Sequence, residues 1–275
     1  MSMLTTTADF RVPVTPHDTA TPSPRDLVMR LEQHPPPLPE GHDERLAGYG
    51  VIGLAFASGH VLGLRRWSVS SNGPAYTSVW HCTPRGKWTF YADVSPEQAC
   101  TRYTGVAADA AHAMYIGMAW TGPRTLVVEI PDIALRWTLM LQATAATRLF
   151  DAARSCMPDR WLASDRVLSV IGTCARMVLK TGPVRLAGRM PNGQRYHVAP
   201  NGLWVVGATR ATIHGVDLGM PGECGPQASI GDFLVPRRPL FALATARFDA
   251  FDPTRHLADT TSPVERLRAA RRARP

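Results

Sequence analysis

The chain of 275 residues is poor in the features that mark common functional classes. Lysine is almost missing: Lys87 and Lys180 are the only two among 30 basic residues. The abundance of arginine, beside much alanine and proline, follows the codon bias of a GC-rich genome and is no sign of selection for phosphate geometry. Cys82, Cys100, Cys156, Cys174 and Cys224 are odd in number and widely spaced. Without a C-x-x-C pair they exclude a recognisable zinc site or dithiol centre and read as free thiols of a reducing cytoplasm. No H-x-H or H-E-x-x-H spacing occurs, so no metal is expected. The glycines of "MPGECGPQ" do not open a helix after a strand, so they form no phosphate loop, and no cofactor is implied. Cys224 lies in that loop with no local base to activate it.

Long apolar runs are missing too. The stretch from Val51 to Leu64 is interrupted by Ser58, Gly59 and His60 and is too short to span a bilayer. The start, "MSMLTTTADFRVPV", has neither a basic nor an apolar leader region, as expected of a cytoplasmic protein. Charge of one sign is modest once located. Of the formal +8, about half comes from the last residues, "VERLRAARRARP", where five arginines face one glutamate. That tail, residues 256–275, is expected to make weak, salt-sensitive contact with polyanions and no sequence-specific one, because it lacks stacking aromatics.

What is present is a strand-rich body between two extensions. Residues 1–45 are rich in Thr and Pro and include "HPPPLP". Within them Ser23 and Pro24 begin a short helix with Leu27, Val28 and Leu31 on one side. Residues 46–255 read as one domain. Short runs such as "HVLGLRRWSVS", "YTSVWHC", "KWTFYAD", "TLVVEI" and "ALRWTLML" are bounded by Gly, Pro, Asn or Asp. In the last, Leu135, Trp137, Leu139 and Leu141 alternate with Arg136, Thr138 and Met140. Residues about 144–181 change to a helical period. Ser164 begins a helix there whose stripe is Val167, Leu168, Ile171, Cys174 and Val178, ended by Gly182. Three Pro-x-Gly turns are expected, at "TPRGK", "MPNGQ" and "APNGL". The fold class is therefore mainly β, a β-barrel or strongly curved antiparallel sheet with a helical insert.

The hairpin "TSVWHCTPRGKWTFYADV" carries the clearest site candidates. A three-residue loop of Pro84, Arg85 and Gly86 pairs Cys82 with Trp88, Trp80 with Phe90 and His81 with Thr89. Trp80, Cys82, Trp88 and Phe90 then share one face, and Val79, His81, Thr89 and Tyr91 the other. On an open sheet the second face meets water; in a barrel it lines a lumen, where His81, Thr89 and Tyr91 supply the few polar groups of a ligand site. Glu129 and Arg136, each opposite the apolar face of its strand, and His197 in "RYHV" complete the candidate ligand-binding set.

The segments "GPAYTSVWHCTPRGKWTFYADVSPEQACTRYTG", "RLAGRMPNGQRYHVAPNGLWVV" and "GDFLVPRRPLF" resemble an actinobacterial protein family without an assigned function, over roughly residues 48–250. The style of the strands is loosely similar to lipocalin-like barrels, including the carotenoid hydratase group. That resemblance implies a barrel around a ligand and transfers no catalytic residue. Three functions stay open: a binding protein for a small apolar or amphipathic molecule, a lyase, hydratase or isomerase using His81 with Tyr91 or Glu129, and a scaffold acting through its tails.

Overall fold

The structure is a computed structural model and describes residues 22–38, 40–158, 161–162, 164–222 and 227–257. Cys224 and the arginines of the C-terminal tail lie outside the described residues. The strands run β1 Glu44–Val51, β2 Leu54–Ala55, β3 Val61–Ser70, β4 Tyr76–Cys82, β5 Trp88–Ala92, β6 Ala110–Ala113, β7 Gly117–Trp120 and β8 Thr125–Ile130. They continue as β9 Leu135–Gln142, β10 Ala187–Arg189, β11 Arg195–Ile213, β12 Val216–Asp217, β13 Ser229–Ile230, β14 Phe233–Leu234 and β15 Leu240–Phe248. Helices are α1 Pro24–Gln33, α2 Thr101–Thr104, α3 Ala145–Ser155 and α4 Asp165–Val178. No helix among the described residues is long and apolar enough to cross a membrane.

One sheet holds the molecule together, in the order β6-β5-β4-β3-β1-β15-β11-β9-β8-β7. All neighbours on this path are antiparallel except β5 and β6, which are parallel. The two ends of the path are consecutive in the chain, so the sheet curls until β6 and β7 are separated only by residues 114–116. The order is not the sequential meander of an up-and-down lipocalin barrel.

Strong curl needs strands that approach closely. Gly48 and Gly50 provide this between β1 and β3: a Cβ at Gly48 would lie 1.9 Å from the Arg66 carbonyl oxygen, and one at Gly50 1.9 Å from that of Leu64. A bulge at Ala47/Gly48 turns the strand at the same place.

Curling gives the sheet an inner and an outer face. The inner face is filled by side chains from strands at both ends of the path, among them Leu62, Leu64, Val79, Val128, Trp137 and Phe241. Helix α1 closes this core with buried Val28 and partly buried Leu27 and Leu31; the predicted Ser23 cap is a full capping box with Asp26. The predicted alternation of Leu135 to Leu141 is present, and Trp137 is fully buried, its indole N–H donating to Thr209 Oγ1. The outer face of β1, β3, β4, β5, β11 and β15 carries a second core, built from Trp80, Trp88, Phe90, Tyr196 and Phe248.

Two expectations change. "APNGL" is no turn: β11 runs through it, paired with β15, and accommodates Pro200 by a register shift between Pro200 and Gly202. Pairing with β15 outweighs the local turn preference. In α4 the buried face is Leu168, Ile171, Gly172 and Ala175, while Cys174 and Val178 are exposed. Gly172 sits where its missing side chain admits the Val184 carbonyl, 2.9 Å from an ideal Cβ, and this close packing rotates the helix from the predicted stripe.

These approaches separate two glycine roles. Gly48→Ala is expected to cost about 2 kcal/mol or more, because backbone must move. Gly86→Ala, at φ +76° with nothing near its Cβ position, should cost about 1 kcal/mol for the left-handed conformation alone. Urea unfolding of both variants checks this; equal losses would contradict the account of the curl.

Candidate functional site

The outer face has a floor of small residues. Across β1, β15 and β11 the directly paired positions are Gly48 with Ala244, Gly50 with Ala242, Ala244 with Pro200 and Ala246 with Val198. Large side chains form the roof: Tyr103 of α2, Phe150 of α3, Ile171 of α4 and Phe233 of β14. A roof held up by bulky groups over a floor of Gly and Ala cannot close. A cavity of about 100 Å³ remains, and its wall is almost wholly apolar.

Two arginines stand in that wall: Arg185, which is paired with Asp232, and Arg65. Arg65 projects from β3 on the same face as its cross-strand partner Ser78, with Trp80 also on this face. It is enclosed by protein yet keeps accessible surface, as a side chain facing an internal cavity does. Its Nη1 donates to the carbonyls of Val51 and Leu64, and Nη2 to that of Ile52 at 3.0 Å. The guanidinium lies 4.5 Å from the Trp80 ring centroid and 5.5 Å from that of Phe233. Burial lowers its pKa to about 10, so it stays charged at neutral pH. Among the described residues no carboxylate forms a hydrogen bond or ion pair with Arg65, whose side-chain donors go to backbone carbonyls.

Its neighbours behave differently. Arg66, on the opposite face, donates from Nε and Nη2 to Glu32, and Arg102 uses the same two nitrogens on Glu44. Both carboxyl groups are thereby held below the usual range despite their burial. Beside Arg65 two further polar atoms are buried without a partner, Ser78 Oγ and Trp80 Nε1.

The residues singled out from sequence fall elsewhere. The hairpin register is as predicted, with Cys82 opposite Trp88, Trp80 opposite Phe90 and His81 opposite Thr89. The face of His81, Thr89 and Tyr91 turns inward to the filled core, where His81 is only 7% exposed. Its Nε2 shares a hydrogen bond of 2.8 Å with His60 Nδ1, and the two rings stack. Burial first, then the nearby His60 and His214, depress the His81 pKa to about 4. Thr89 is half-buried, and Tyr91 stacks on His112. Glu129 and Arg136 form an exposed ion pair across β8 and β9. His197 pairs with Asp165 at the start of α4, in an open recess that also holds Arg189, Arg195 and Arg255. None of the six lines the outer-face cavity. Arg65 was legible as a candidate: alternation in "HVLGLRRWSVS" puts it beside Trp67 on an apolar side, and "LFALATARF" spaces Ala242, Ala244 and Ala246 two apart. Among the described residues no group of three or more His, Cys, Asp or Glu is arranged to hold a metal.

The neutral His60–His81 pair makes stability depend on pH. The folded pKa of His81 lies below its unfolded value near 6.5, so protons favour the unfolded chain. Stability from this site is complete above about pH 6.5 and is lost as pH falls through 6.5 toward 4, by roughly 3 kcal/mol at most. Urea midpoints at pH 7.5 and pH 4 should therefore fall further apart for the wild type than for His81→Gln. An identical acid loss in both would contradict the pairing.

No protein family matches the chain, and no curated protein matches it. Among solved structures it is similar to an acetoacetate decarboxylase from Legionella pneumophila subsp. pneumophila str. Philadelphia 1, at 12% sequence identity. The superposition covers 85% of this chain and 96% of that chain with a TM-score of 0.34, too loose to transfer chemistry.

Proposed function

We propose that this protein binds a small apolar or amphipathic molecule, and that the molecule sits in the outer-face cavity. The observation that carries this reading is the enclosed apolar space over the Gly/Ala floor. Interiors are normally filled to crystal-like density, so a void of this size in the packing of the outer face is a cost without a use unless something occupies it. Ligand sites are typically apolar clefts with a few placed polar groups, and the cavity fits that description. At about 100 Å³ it is smaller than the roughly 150 Å³ engineered cavity that takes benzene. The ligand is accordingly small, or its buried part is.

The rival reading, a lyase, hydratase or isomerase using His81, requires that imidazole beside the substrate. His81 belongs to the inner face, hydrogen-bonded to His60 and held neutral. Among the described residues the cavity wall contains no His, Asp, Glu or Lys; its proton-carrying groups are Cys100 and the tyrosines Tyr49, Tyr103 and Tyr196. Those facts favour binding over catalysis at this place.

Filling the space tests the reading. Ala244 lies in the floor, and Ala244→Leu adds apolar volume where the cavity is. The variant is expected to gain about 0.5–2 kcal/mol in stability without ligand. In native mass spectrometry it should lose the small molecule that purifies with the wild type. A co-purifying ligand retained by the variant, or a wild type that neither carries a ligand nor is stabilised by 1-butanol in a thermal shift, would overturn the proposal.

A further inference from the structure

Resting on that reading, we infer that the occupant of the cavity is a small carboxylate, and that Arg65 is its counter-ion. The inference starts from donors. A guanidinium has five N–H groups in a fixed fork. In Arg65 three bonds run to the carbonyls of Val51, Leu64 and Ile52, all from Nη1 and Nη2. The Nε–H and one N–H of Nη2 have no partner among the described residues. These are the two nitrogens that Arg66 and Arg102 each present to a glutamate. Arg65 is thus an arginine of the carboxylate-binding kind from which the carboxylate is missing.

The surroundings point the same way. A buried charge is retained at a large cost unless it is paired, and a purely packing role at this position is met by Met or Leu. Among the described residues no carboxylate pairs with Arg65, while the π faces of Trp80 and Phe233 lie against it. Trp80, which lines the cavity, adds an indole N–H without a partner among the described residues. The rest of the wall is largely apolar, with Arg185 already paired to Asp232, so a ligand with a charged planar head and a short hydrocarbon body matches it, and a polar molecule does not. The volume of about 100 Å³ limits the buried hydrocarbon to about four carbons, fewer than benzene's six.

The test uses the full chain and calorimetric titration with straight-chain carboxylates of about two to eight carbons, each beside its matching alcohol and alkyl phosphonate. The expected result is an optimum at intermediate length, with the carboxylate at least tenfold tighter than the alcohol. The bulkier tetrahedral phosphonate should be weaker than the carboxylate. Arg65→Met should erase the preference for carboxylate over alcohol while the alcohol still binds. If that variant does not fold, the wild-type comparison stands alone. Equal binding of carboxylate and alcohol would overturn the counter-ion role and leave the cavity reading intact. Tightest binding of the phosphonate would also overturn it, by assigning the wrong anion. Saturable binding by none of the series would overturn the cavity reading itself.

Discussion

The bond network of Arg65 is the constraint on which the outer face depends. Its guanidinium ties the end of β1 and the residue after it, through the Val51 and Ile52 carbonyls, to β3 through that of Leu64. It does so while lying on Trp80 of the neighbouring strand β4. Three strands, β1, β3 and β4, are thereby fixed around one positive charge. Carbonyl dipoles and aromatic faces stabilise a cation in a low dielectric only in part, and the remainder is open to an anion. The same side chain therefore serves packing and leaves a specific chemical demand on whatever enters the cavity.

The two faces of the sheet are packed in different ways. On the inner face large residues meet large residues, Trp137 against leucines and valines, and the polar pair His60–His81 satisfies itself within that core. On the outer face Gly48, Gly50, Ala242, Ala244 and Ala246 hold the floor low while Tyr103, Phe150 and Phe233 hold the roof apart. Without a Cβ, Gly48 and Gly50 allow β1 to approach the backbone of β3 closely, and Gly50 also lines the cavity.

How much of this was legible in the sequence varies by residue. The hairpin register followed from Pro84, Arg85 and Gly86, because loop length fixes which residues face each other. The Ser23 cap and the alternating strand of Trp137 were readable for the same reason: both are local rules. Which face of the hairpin would meet a ligand was not, since both faces of β4 are buried and only the curl of the whole sheet distinguishes inside from outside. Lipocalin-like thinking placed the ligand in the lumen; in this fold the lumen is filled and the space lies on the other side. Pro200 and Gly202 read as a turn because propensity is local, whereas their strand is held by pairing with distant β15. The strand pattern puts Arg65 beside Trp67 on an apolar side, but its lack of a carboxylate partner among the described residues is a tertiary fact that no sequence pattern carries.

The central claim is that the outer-face cavity holds a small anion against Arg65. A crystal structure of the full chain grown with pentanoate tests it most directly. The account expects one pentanoate in the cavity, its alkyl chain over Ala242 and Ala244, with carboxylate oxygens about 2.7–3.2 Å from Arg65 Nε and Nη2. Pentanoate bound in the lumen beside His81, or at the surface with the cavity empty, would contradict it.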